Sequence, residues 1–111
     1  MWVFDNRNAI RYAFTIEHSM IQSFRDRETE KLFQEGIAKG YGSWSRVAMR
    51  KLTMLHAATT LIDLKVPPNN KLEKLKGNRL GQYSIRINDQ WRICFIWKDG
   101  NAYNVEIEDY H

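Results

Sequence analysis

The sequence predicts an α+β domain, with an N-terminal strand and helices packed on a small, mainly antiparallel sheet. A helical periodicity runs through 44–62, and three strand-like runs separated by turn residues fill 82–108. The predicted order is therefore strand, helices, then a three-strand meander, with no internal repeats or low-complexity tracts.

Each element has a local reason. In 10–16, Ile10, Tyr12, Phe14 and Ile16 alternate with polar or small residues, which suits a short strand. We read 1–19 as an extension ahead of a domain spanning 20–111. Residues 21–24 read as the domain's first strand. Asp26 is placed to cap a helix that buries Leu32 and Phe33 and stops at Gly36. After a loop at 40–43, Trp44, Val47, Ala48, Leu52, Leu55, Ala58 and Ile62 recur at spacings of three and four, with Ser43 or Ser45 as the cap. His56 on this helix reads as structural. Pro67 and Pro68 end helical structure, and 71–76 alternate weakly before a turn at Gly77 and Asn78. Tyr83, Ile85 and Ile87 should face the helices, leaving Ser84, Arg86 and Asn88 on the other side. The apolar run 91–97 reads as a strand buried on both faces. In the last strand Tyr103, Val105 and Ile107 alternate with Asn104, Glu106 and Glu108.

Composition narrows the function. The chain has 111 residues, 43% hydrophobic and 13% aromatic, enough for one core and too apolar for disorder. Its net charge of +4 is uneven. Between Lys65 and Lys98 stand eight basic residues (Lys65, Lys71, Lys74, Lys76, Arg79, Arg86, Arg92, Lys98) and two acidic ones (Glu73, Asp89), a balance of +6; the tail from Asp99 carries four acidic residues and neither Lys nor Arg. A basic block leading into carboxylates suits a polyanion with acid/base groups at its rim, although a solvated charged face has the same composition. Cys94, the single cysteine, reads as a core residue, and a chain without a disulfide fits a reducing, cytoplasmic setting. Neither a secretory signal nor a membrane-spanning stretch is expected, nor a metal site, since His18, His56 and His111 are far apart in sequence.

The candidate chemistry gathers at the C-terminus. Asp109, Tyr110 and His111 place a carboxylate, a phenol and an imidazole side by side. A carboxylate beside His111 suits proton transfer near neutral pH. Arg86 on the open sheet face suits a phosphate clamp, or else a cross-strand pair with Glu106 or Glu108. Arg79, Arg92, Lys74 and Lys76 extend the cationic surface. Trp91 offers a stacking face and Asn88 a polar group beside it.

These residues resemble a known family. From Met20 onward the chain is similar to HigB toxins, a branch of the RelE-like toxin–antitoxin superfamily. The likeness lies in Met20-Ile21-Gln22-Ser23-Phe24, Lys71-Leu72-Glu73, Leu75-Lys76-Gly77-Asn78-Arg79, the run from Gly81 to Phe95, and the closing Val105-Glu106-Ile107-Glu108-Asp109-Tyr110-His111. The resemblance implies a metal-independent, cofactor-free endoribonuclease that cuts mRNA on the ribosome. The ribose 2′-hydroxyl would attack the adjacent phosphate. It also implies catalytic roles for Asp109, Tyr110, His111 and Arg86, with Glu73 standing where some members have a histidine. The implied partner is a cognate helix-turn-helix, HigA-like antitoxin, through which the pair would bind operator DNA. The alternative is a ParE-like toxin that inhibits DNA gyrase without cleaving RNA.

Overall fold

Asp26 opens α1 (Arg27–Glu35) by accepting the Thr29 backbone N–H on Oδ2 at 3.0 Å, and Gly36 closes it at φ 73°. That left-handed cap costs glycine little, and its N–H returns to the Leu32 carbonyl. Leu32 and Thr29 are buried, with Phe33 half-buried beside them. The Thr29 hydroxyl also accepts the Ile107 N–H at 3.2 Å, which ties α1 to the last strand. The computed structural model describes residues 20–36 and 42–110; the strand expected over 10–16 and the loop at 40 and 41 lie outside the described residues, as does His111.

The second helix, α2 (Ser45–Ala57), departs from the sequence reading at both ends. Among the described residues no side chain caps it; Ser45 N–H bonds the Gly42 carbonyl instead, at 3.1 Å. It stops five residues before Ile62 because Thr60 and Asp63 cap each other reciprocally and start a new 3₁₀ turn, Leu61–Lys65. Asp63 Oδ2 accepts the backbone N–H groups of Thr59 and Thr60 at 2.9 and 3.1 Å, and these bonds hold its carboxyl below the usual range. The break turns Ile62 to solvent, 69% exposed, and gives its expected core place to Leu64.

Among the described residues the sheet has four antiparallel strands, the expected three-strand meander with one short strand added at its edge: β1 (Glu73–Lys74), β2 (Gln82–Arg86), β3 (Trp91–Lys98) and β4 (Asn101–Asp109), in that spatial order. The additional strand comes from the weak alternation at 71–76. The expected first strand is reduced to two parallel bridges beside β4, Ile21 with Ala102 and Phe24 with Val105. A register shift between Cys94 and Ile96 breaks the expected alternation in β4, and Asn104 takes φ 53° nearby. Ala102 and Val105 are thus both core, while Tyr103 pairs with Ile96 on the other parity.

Register separates the faces. Ile85, Ile93 and Ile107 align across the sheet and, with Phe95, meet Leu52, Leu55 and Leu64 from the helical layer. Ser84, Cys94 and Glu106 align on the opposite face, as do Arg86, Arg92 and Glu108. Among the described residues, no helix is long and apolar enough to cross a membrane.

Candidate active site on the open sheet face

Arg86 and Arg92 stand directly opposite each other on neighbouring strands. Two like charges in that register repel, so each guanidinium needs an acceptor elsewhere. Arg86 pairs with Asp89, three residues along, rather than with Glu106 or Glu108; the Asp89 side chain is 98% exposed. Arg92 turns inward and is 5% exposed. Its Nε donates to Ser84 Oγ at 2.8 Å and its Nη2 to the Lys71 carbonyl at 2.6 Å.

Tyr110 lies over this buried cation, with the Arg92 Cζ 4.7 Å from the ring centroid, a cation–π geometry. The Tyr110 hydroxyl donates to Glu73 Oε1 at 2.6 Å, and Glu73 Oε1 is 4.0 Å from Arg92. Edge strand β1 supplies Glu73, Tyr110 follows directly on β4, and β3 supplies the arginine between them. Bonding to Glu73 pushes the phenol pKa up, which keeps Tyr110 protonated and able to donate. The cluster combines an exposed carboxylate, a phenol donor and the Arg92 guanidinium, with Arg86 opposite Arg92 in register, the parts needed to move a proton beside a bound anion.

A second polar group lies further along the same face. Arg79 grips Glu108 with two bonds, at 2.5 and 3.0 Å, and reaches Gln82 as well. Glu106 pairs with Arg25 at 3.7 Å. These residues and Asn78 line a cleft of about 340 Å³. Arg79 holds the Glu108 carboxyl low, while burial and the neighbouring Glu108 push Glu106 up to about 7. Burial likewise raises the Cys94 thiol to about 12, which makes it an unreactive core group.

The remaining predicted residues are dispersed. Lys74 and Lys76 are exposed on and beside the edge strand. Asn88 Oδ1 accepts from the Gln90 and Trp91 N–H groups and so organises the β2–β3 turn. Trp91 stacks on Trp44, centroids 4.9 Å apart, at the core margin. Asp109 pairs with Trp91 on the helix-facing parity, and its Oδ2 accepts from Gln90 Nε2 at 3.1 Å. His56 has a structural role: its Nδ1 accepts the Ile21 N–H at 3.2 Å, its ring packs on Phe33, and burial lowers its pKa. Sequence reasoning overlooked Ser84 as the support of Arg92; its place opposite Cys94 on the open-face parity was the available signal. Among the described residues, no three His, Cys, Asp or Glu side chains cluster as a metal site would require.

A family model described as the RelE-like toxin of the type II toxin–antitoxin system HigB matches residues 22–111. The chain belongs to the HigB-like toxins. Toxin HigB-1 of Vibrio cholerae is 36% identical over 91 residues, covering 80% of this chain and 96% of that protein. A Proteus vulgaris protein named Endoribonuclease HigB is 34% identical over 93 residues, covering 83% of this chain and all of its own length. Two structures of YafQ from E. coli, one of them a point mutant, superpose with TM-score 0.51 at 14% identity, covering 81% of this chain and 93% of theirs. That likeness supports the fold alone. As a HigB-like toxin the chain acts in a type II toxin–antitoxin pair, so a cognate antitoxin is its partner. The ParE-type alternative is not favoured.

Proposed function

We propose that this HigB-like toxin is a metal-independent endoribonuclease that cuts mRNA on the ribosome in the cytoplasm, and that a HigA-like helix-turn-helix antitoxin restrains it. The observation that carries the reading is the directly opposed Arg86 and Arg92 beside the Glu73–Tyr110 hydrogen bond. In this reading an RNA phosphate meets Arg86 and the Tyr110 hydroxyl, with Arg92 buried beneath the phenol ring. The name of the Proteus vulgaris relative agrees with the same chemistry.

In the reaction the ribose 2′-hydroxyl gives its proton to a base, its oxygen bonds to phosphorus, and the P–O5′ bond breaks. The departing O5′ takes up a proton, leaving a 2′,3′-cyclic phosphate and a 5′-hydroxyl. Glu73, an exposed carboxylate, accepts the first proton in this reading. Arg86 stabilises the charge that develops on the phosphoryl oxygens. On binding RNA, Tyr110 turns its single O–H from Glu73 to the phosphate, which frees Glu73 Oε1, and Arg92 holds the phenol ring in place. His111, next in the chain, supplies the proton to the leaving oxygen, with Asp109 orienting it. Lys74, Lys76 and Arg79 contact the backbone of the message, Asn88 shapes the turn beside it through the Gln90 and Trp91 N–H groups, and operator DNA is bound only through the antitoxin complex. Mapping transcript ends after induced expression tests the reading: discrete cuts within translated frames, lost in Arg86→Ala, are expected. Intact messages accompanied by growth arrest would refute it.

A further inference from the structure

Lys51 lies on α2, is 6% exposed, and has its ammonium held by the Asn70 amide oxygen rather than by a carboxylate. Among the described residues, the charges facing it are cations, Arg50 and Arg86. Burying an ammonium under those conditions works against stability, and an apolar side chain of similar length would serve the core better. The placement makes sense as geometry. Asn70 is fully buried, and its Nδ2 donates to the Leu64 and Val66 carbonyls at 3.0 and 3.3 Å. Lys51 therefore fixes the one oxygen of Asn70 while the amide nitrogen fixes the preceding turn.

The next residue, Lys71, takes φ 45° and ψ 56°, a left-handed conformation uncommon outside glycine and asparagine. Its carbonyl accepts from Arg92 Nη2 at 2.6 Å. Two residues further on, Glu73 enters β1 and accepts the Tyr110 hydroxyl. One short segment, 70–73, thus joins the buried ammonium to both acceptors of the site. We propose that Lys51 is a positioning residue for the open-face site, acting through Asn70 and the Lys71 carbonyl to hold Arg92 beneath Tyr110. The catalytic consequence rests on the endoribonuclease reading above; the geometric one does not.

The test uses the full chain in two arms. In the RNA-free protein, NMR follows hydrogen exchange at the Arg92 Nε–H, which is bonded to Ser84 Oγ. In Lys51→Met this exchange is expected to accelerate about tenfold more than the backbone amides of Ile93 and Phe95, which report global opening. In ribosome-dependent cleavage the same variant is expected to lose about tenfold or more in rate with RNA affinity unchanged, and Lys51→Arg, which keeps the cation, to recover much of it. Arg92 exchange that changes no more than the core amides overturns the proposal. If Lys51→Met does not fold, Lys51→Gln replaces it, with an intermediate acceleration expected and none contradicting. A wild-type protein that cuts no RNA defeats the functional reading, while the exchange arm still decides the positioning role.

Discussion

The Tyr110 hydroxyl donates to Glu73 Oε1 at 2.6 Å, joining the end of the last strand to the edge strand on the far side of the sheet. The two residues are 37 positions apart in sequence, and Arg92, from the strand next to β4, occupies the space between them. Tyr110→Phe removes this donor without opening the core, since Tyr110 is 46% exposed. RNA cleavage is expected to fall about tenfold to a hundredfold, with the thermal midpoint nearly unchanged. Parallel rate and melting measurements check it; a large drop in stability at full activity would make the contact structural.

Glu106 provides a pH prediction. Burial comes first among the causes that raise its carboxyl, followed by Glu108, and the charges facing it are Glu108, Arg25 and Arg79. Its value in the fold, about 7, lies above the unfolded value of 4.5. Between those values the folded state binds the extra proton, so stability declines as pH rises through the window. Glu108 is shifted the other way and loses its contribution only as pH falls below its unfolded value. Glu106→Gln is expected to flatten the decline from about 4.5 to about 7 in urea titrations. An unchanged slope would place the effect elsewhere.

The break after α2 gives a paired test of packing. Leu64 is fully buried, while Ile62, two residues before it, is 69% exposed. Leu64→Ala is expected to cost about 2–5 kcal/mol, whereas Ile62→Thr stays within about 0.5 kcal/mol. Equal costs in urea unfolding would restore the uninterrupted helix that periodicity suggests.

Deletion of residues 1–19 tests the domain boundary. The family match begins at residue 22, and the first described backbone bonds to β4 involve Met20 and Gln22. The shortened chain is expected to fold and to arrest growth as the parent does. Loss of cooperative unfolding would make the extension part of the core.

Local chemistry made much of the fold legible. The Asp26 cap, the Gly36 stop and the parity of Ile85 against Arg86 each depend on neighbours a few residues away. The end of α2 was less visible because Ala58 and Ile62 continue the apolar spacing, while the Thr60–Asp63 capping box that interrupts it is a polar signal of four residues. β1 was hidden because a two-residue edge strand has almost no period to detect. In the site, residue types pointed to Arg86 and Tyr110, and the family resemblance to Glu73, but side-chain direction followed from neither. Arg92 turns inward, Trp91 faces Trp44, and the Lys51–Asn70 bond spans two elements, so each depends on tertiary packing rather than spacing.

The most direct measurement is the chemistry of the RNA ends produced by the purified protein with translating ribosomes. Wild-type protein is predicted to leave 2′,3′-cyclic phosphate and 5′-hydroxyl termini, and Glu73→Gln to make them about a hundredfold more slowly. Equal cleavage by the variant, or 5′-phosphate ends, would contradict the account of the open sheet face as the catalytic centre.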